Sequence, residues 1–280
     1  MEREPFAGFF DDAALFPPGN APMGDAVPAH IAYRNTWFAE LVGPFLCPDG
    51  RLAELRSIVG PLSPTESLET GLIVPGGSAG VAAAVRVVAA DPRLELAGIE
   101  VKADAGGVGT AIAAFDAELP RGALGYVEVA RGPGLEASLD ALAEAGYRPK
   151  FRTGGLVASA FPSEDELAAF IVACRQRQLT FKLTAGLHHA VRHTAGGGGG
   201  PRGCGAGSDS FEHHGFLNVL VATLADDPAE ILARRDGEAL AKELTPDDIV
   251  EARQTFGSFG TCSIAEPVDD LRALGFLAQE

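Results

Sequence analysis

The chain is short of positive charge. Twenty-two lysines and arginines stand against 38 aspartates and glutamates, a formal net charge of −16 at neutral pH. Nucleic acid and an anionic membrane surface both require a basic patch, so neither is expected as a partner. A small anionic substrate needs only a local cluster of cations and stays open. Cysteine is scarce as well. Cys47, Cys174, Cys204 and Cys262 are far apart with no CxxC, which fits reduced thiols in a cytoplasmic protein rather than a disulfide frame. Long hydrophobic runs are missing: the longest uncharged stretch, Thr70 to Val85, contains Pro75 and several glycines and is too short to span a bilayer. The opening residues, MEREPFAGFFDD, are acidic and carry no apolar run, so no signal peptide is expected.

What is present is an alternation of short apolar strands and amphipathic helices about 30 residues apart, the βαβ pattern of a parallel sheet. Strands are expected at Ala13–Phe16, Leu41–Leu46, Gly71–Val74, Leu96–Lys102, Ala123–Val129, Pro149–Thr153, Phe181–Thr184 and Phe256–Ile264. Helices are expected at Asp25–Arg34, Arg51–Ile58, Ala79–Ala90, Thr110–Leu119, Pro133–Ala145, Glu164–Gln176 and Phe211–Ala225. Ser163 followed by Glu166 is a capping box that starts the helix at Glu164. No repeat and no internal linker divides residues 1–280. The fold class is therefore α/β, a single (β/α)8 TIM-type barrel, with an open doubly wound sheet as the alternative. Between the seventh and eighth strands lie about 70 residues where an ordinary unit has about 30, so this is an extended insertion. It includes a glycine-rich run, TAGGGGGPRGCGAGS, within a flexible segment at 190–210 that is either a mobile lid or disorder, and helical stretches at Pro228–Glu243 and Thr245–Gln254.

Parity along the strands picks out the chemistry, because residues i and i+2 face the same side. Glu100 and Lys102 share a face on the fourth strand, Lys150 and Arg152 on the sixth, Lys182 and Thr184 on the seventh. Glu128 lies on the fifth with Tyr126. The residues between them, Ile99, Val101, Val127, Phe151, Phe181 and Leu183, are apolar and suit the outer, helix-covered face. The charged residues then point into the barrel. Charges gathered in a low-dielectric cavity mark a tuned site more often than a stabilising device. A lysine held among other cations has its pKa pushed down and can attack a carbonyl or act as a base. Lys182 is the candidate for that work, with Lys150 lowering its pKa, Glu100 and Glu128 moving protons and His188 as acid/base. Barrels keep their chemistry at the C-terminal strand ends, where Gly154, Gly155 and Gly260 leave backbone amides open to an anion. Arg152, Thr153, Lys102, Thr184 and Ser263 join them as substrate contacts. His214 is a further contact, with Asn218 one helical turn on and placed to orient it.

The run Lys182-Leu-Thr184-Ala-Gly186, with Lys150 on the sixth strand and Glu100 on the fourth, resembles the Schiff-base aldolases of the deoxyribose-phosphate aldolase type. Those carry a lysine on each of the sixth and seventh strands and an acid on the fourth. The chain departs from that layout in having Phe151-Arg152 after Lys150, where small hydroxylated residues stand, and Glu in place of Asp. The resemblance implies a metal-independent, cofactor-free lyase, aldolase-like enzyme or isomerase acting on a small anionic carbonyl compound. Two alternatives stay open. One is a metal-dependent hydrolase or lyase built on His188, His189, His213 and His214 with Glu128, with His193 nearby. The other is a non-catalytic barrel that binds a small molecule. Asp11-Asp12 reads as a solvated turn rather than a polar entry to the site, and Cys262, which an eighth strand would deliver to the barrel mouth, has no base beside it in sequence to make it a nucleophile.

Overall fold

The computed structural model describes residues 5–60, 67–103, 107–196 and 210–278. Among them, eight parallel strands close a barrel: β1 (Phe10–Asp12), β2 (Val42–Pro48), β3 (Leu68–Val74), β4 (Leu94–Lys102), β5 (Leu124–Glu128), β6 (Arg148–Arg152), β7 (Phe181–Thr184) and, last in the ring, β10 (Phe256–Thr261). Neighbours follow chain order around the ring until β7 pairs with β10 and β10 with β1. The helices are α1 (Met23–Tyr33), α2 (Leu52–Ile58), α3 (Val81–Ala89), α4 (Val108–Glu118), α5 (Leu135–Ala145), α6 (Glu164–Gln176), α7 (Phe216–Leu224), α8 (Pro228–Ala233), α9 (Gly237–Lys242), α10 (Pro246–Thr255) and α11 (Ala265–Ala273). None is long and apolar enough to cross a membrane.

The outward-facing strand residues are the apolar set that parity selects. Ile99, Val101, Val127, Phe151, Phe181 and Leu183 are all fully buried between strands and helices. Phe151 stacks on Phe170 of α6 with centroids 4.3 Å apart, and burying one such ring stabilises the fold by roughly 1.5–3 kcal/mol. The closure of the barrel is aromatic. Phe9, Phe10 and Phe259 meet Phe216 of α7, with Phe216 and Phe259 at 5.3 Å, and Phe256 packs on Phe9 at 5.0 Å and on Phe259. Arg253 closes that seam from below, 4.3 Å from the Phe9 ring, and donates to the carbonyls of Pro5, Ala7 and Gly257. Burial lowers its pKa to about 10, against the weaker pull of Asp11.

Helix starts follow their caps. Ser163 and Glu166 form the expected box at α6, and Thr245 with Asp248 forms another at α10, where Pro246 takes the first turn. The stretch expected as Pro228–Glu243 is broken into α8 and α9, because Asp236 caps a new helix by accepting the Ala239 amide.

Two expectations are corrected. The first strand is Phe10–Asp12 and not Ala13–Phe16: Phe10 pairs with Phe259 and Asp12 with Thr261, while Asp12 turns the chain by accepting the Ala14 amide. The helix expected from Phe211 begins at Phe216. Residues Ser210–His213 instead form a strand, β9, antiparallel to β8 (His193–Gly196), because the carbonyls of His189 and Ala190 capture the Phe216 and Leu217 amides and hold Gly215 extended. The flexible segment expected at 190–210 therefore has paired strands at its described ends, and the rest of the glycine run lies outside the described residues.

Candidate active site

The inward face of the barrel carries one continuous chain of ion pairs. Arg152 Nε lies 3.3 Å from Glu128, Glu128 lies 3.1 Å from Lys150 Nζ, and Lys150 Nζ lies 2.8 Å from Glu100 Oε2. Glu100 Oε1 pairs with Lys182, whose Nζ lies 2.5 Å from Asp11 Oδ2; Ser258 donates to the same oxygen at 3.0 Å. Asp11, Glu100, Lys150 and Lys182 are each no more than 5% exposed. Neighbouring strands supply the pairs: β6 sets Lys150 level with Lys182 of β7, and β5 sets Glu128 level with Lys150.

This arrangement reverses the electrostatics expected for Lys182. Burial disfavours its ammonium, but Asp11 and Glu100 outweigh burial and its pKa is raised. Lys150 is the register partner of Lys182, yet the Glu100 carboxylate bridges the two amines, so cation–cation repulsion does not dominate. Burial likewise works to raise Glu100, and the two lysines overcome it and hold the carboxyl at about 2. Asp11 goes the other way: burial exceeds the pull of Lys182 and lifts its pKa. The Asp11-Asp12 pair is thus no solvated turn. Both acids are buried, Asp12 against His30 Nδ1 at 3.0 Å and Asp11 against Lys182.

Two cavities flank the chain of charges. At the C-terminal strand ends, a mouth cavity of about 350 Å³ has an apolar side made of Phe16, Pro17, Pro18, Leu46, Ile73 and Phe161. Its polar side is Lys150, Arg152, Thr184, His188, His213 and Cys262, with Gly155 and Gly260 at the margin. Among the described residues, no carboxylate lines it. At the opposite end, a cavity of about 250 Å³ is bordered by Asp11, Glu100, Tyr126, Arg148, Lys182 and Arg253. Lys182 belongs to this base cavity, and Lys150 is the amine that reaches the mouth.

His188 carries a second constellation. Its Nδ1 lies 3.7 Å from Cys262 Sγ and 3.3 Å from Glu266 Oε2. Burial lowers an imidazole, but these two neighbours together lift His188 to about 9. Cys262 follows β10, and Glu266 lies in the first turn of α11, so one short connection presents both to His188. The spacing of Cys262 and Glu266 was the available sequence signal. The base itself comes from 74 residues away, which no local pattern reports.

The remaining candidates divide. Thr153 is buried and bonded to the Thr184 carbonyl, and Gly154 packs on Gly186; neither lines the mouth cavity. Lys102 is exposed and lines a shallow cleft of about 220 Å³ with Glu128 and Arg152. Ser263 donates its amide to Thr261 Oγ1 beside the mouth without lining it. Two expectations are corrected. Asn218 does not orient His214: it accepts the Arg192 amide and donates to the carbonyls of Ile231 and Arg234, stapling α7 to its neighbours. His214 is buried with Nε2 donating to the Pro162 carbonyl, away from the cavity. The other histidines have separate commitments: His189 to Asp270 at 3.1 Å, and His213 Nδ1 to the Gly186 carbonyl at 3.1 Å. No group of three or more His, Cys, Asp and Glu able to hold a metal ion converges among the described residues. No family model and no curated protein matches the chain.

Proposed function

We propose that this barrel is an enzyme acting on a small anionic carbonyl compound held in the mouth cavity, as an aldolase-like lyase or an isomerase, with Lys150 as the reactive amine. The observation that carries this reading is a cavity whose charged lining among the described residues is basic, Lys150 and Arg152 beside a cationic His188, in a chain of net charge −16. A ligand carboxylate or phosphate suits Arg152, whose planar fork is matched to such groups.

Lys150 stands between Glu100 at 2.8 Å and Glu128 at 3.1 Å. Passing a proton to Glu128, while Glu100 stays charged, frees its lone pair to add to the ligand carbonyl; loss of water then leaves an iminium. The iminium accepts the electron pair of the adjacent C–C or C–H bond, giving cleavage or isomerisation. Lys182 holds Glu100 in its charged form from behind. The layout of an acid on the fourth strand and lysines on the sixth and seventh supports the likeness to Schiff-base aldolases as an analogy of arrangement.

The test is borohydride reduction in the presence of small anionic aldehydes and ketones, with the adduct located by peptide mass spectrometry. An adduct on Lys150, absent from Lys150→Met, supports the reading. No adduct on any carbonyl compound, with ligand-dependent thermal stabilisation retained, would turn it into a binding barrel.

A further inference from the structure

We propose that Cys262 and His188, with Glu266 as the positioning carboxylate, form the proton-transfer pair of the mouth cavity, exchanging a proton with the ligand carbon next to the carbonyl. This rests on the reading that an anionic carbonyl compound occupies that cavity. Three observations carry it. Cys262 Sγ and His188 Nδ1 are 3.7 Å apart and both residues line the cavity that holds Lys150. Glu266 Oε2 is buried with no hydrogen-bond partner among the described residues, and the same His188 nitrogen lies 3.3 Å from it. That carboxylate favours a proton on Nδ1, facing the sulfur.

The third observation concerns the cavity lining. His213 lines the cavity and is buried; its Nδ1 donates to the Gly186 carbonyl, which leaves Nε2 as a lone-pair acceptor, buried without a partner among the described residues. Burial keeps this imidazole neutral by lowering its pKa. His213 thus adds a neutral imidazole, and not a further cation, to the lining that Cys262 and His188 share.

The step balances within the site. The ligand's C–H bond breaks, its pair moves into the new C=C bond of the enamine on Lys150, and the iminium takes the pair that the C=N bond releases. The proton passes to Cys262 sulfur, with the imidazolium of His188 stabilising the thiolate that accepts it. Reversal returns the proton to carbon. No electrons leave the site and no further reactant is required.

Two measurements test the pair on the full-length protein. The first is alkylation at pH 7 with iodoacetate and with iodoacetamide, the labelled cysteine being identified by mass spectrometry. Cys262 is expected to react at least tenfold faster than Cys47 and Cys174, which are buried, and to favour the anionic reagent relative to the urea-unfolded chain. His188→Ala and His188→Asn are expected to lower the Cys262 rate at least tenfold. A Cys262 rate equal to that of the unfolded chain, or unchanged in both folded His188 variants, overturns the proposal.

The second is deuterium incorporation from heavy water into pyruvate, phenylpyruvate and hydroxypyruvate, followed by proton NMR. Cys262→Ala is expected to lose at least tenfold of the exchange while Lys150 still forms its borohydride adduct. Exchange undiminished in Cys262→Ala, with the Lys150 adduct intact, also overturns the pair. Absence of the Lys150 adduct in wild type, with Cys262 fast and dependent on His188, removes the imine reading and leaves the thiol–imidazole pair standing.

Discussion

Lys150 and Lys182 share one carboxylate, Glu100, but reach opposite ends of the barrel: Lys150 takes Oε2 at 2.8 Å and opens to the mouth, while Lys182 takes Oε1 and faces the base. Substituting them should therefore give different phenotypes. Lys182→Met leaves Asp11 and Glu100 buried with one cation fewer and should cost about 3–5 kcal/mol of stability in urea unfolding. Lys150→Met should remove carbonyl trapping altogether while anion binding through Arg152 persists, as seen by thermal shift with a non-reactive carboxylate. Equal loss of trapping from both variants would contradict the division.

The alkaline limb of stability should report His188. Its folded pKa, about 9, lies above the ordinary 6.5, so its contribution is complete below pH 6.5 and is lost as pH rises through about 9. The shift corresponds to about 3 kcal/mol. Urea unfolding at pH 6 and pH 10 should show wild type losing that much more than His188→Gln. Glu266→Gln removes one of the two groups that raise the imidazole, and an NMR titration should find the His188 pKa lowered.

The acid limb should report Glu100. The two lysines outweigh its burial and depress the folded pKa to about 2 from 4.5, so its contribution is present above pH 4.5 and disappears as pH falls through about 2. Glu100→Gln should be less stable than wild type at pH 7 by about 3–5 kcal/mol, and the gap should narrow as the medium is acidified. A constant gap from pH 7 to pH 2 would mean that Glu100 is not held charged by the lysines.

Asn218→Ala should separate architecture from chemistry. Three backbone partners, each at 2.9 Å, lose their bonds, and leaving such buried groups unmatched costs about 1–3 kcal/mol apiece at most. The expected result is a clear drop in melting temperature with Cys262 alkylation and Lys150 trapping unchanged at a temperature where the variant is folded.

Strand parity made the barrel and its charged interior legible, because the alternation of Ile99, Val101, Val127 and Phe151 with Glu100, Glu128, Lys150 and Arg152 is a local property of short strands. The partners of those charges were not legible in the same way. Asp11 meets Lys182 from 171 positions away across a ring closure, and a pair of acids beside LFPPGN looks like a solvated turn until the closure is known. The sign of the Lys182 shift follows from that partner, which explains why an expectation built on neighbouring lysines came out reversed. His188 and Cys262 face the same obstacle: each was visible alone, and their pairing depends on β7 lying next to β10.

The interior chain from Arg152 through Glu128, Lys150, Glu100 and Lys182 to Asp11 alternates in sign along its whole length. Its formal charges cancel, so a lone substitution at Asp11, Glu100, Lys150 or Lys182 strands a unit of charge in a buried network. Divergence of this barrel is consequently constrained to compensated steps, two positions changing together on different strands. In a collection of descendants, the record of that constraint would be correlated replacement across the ring, with Asp11 tracking residue 182 and Glu100 tracking residue 150.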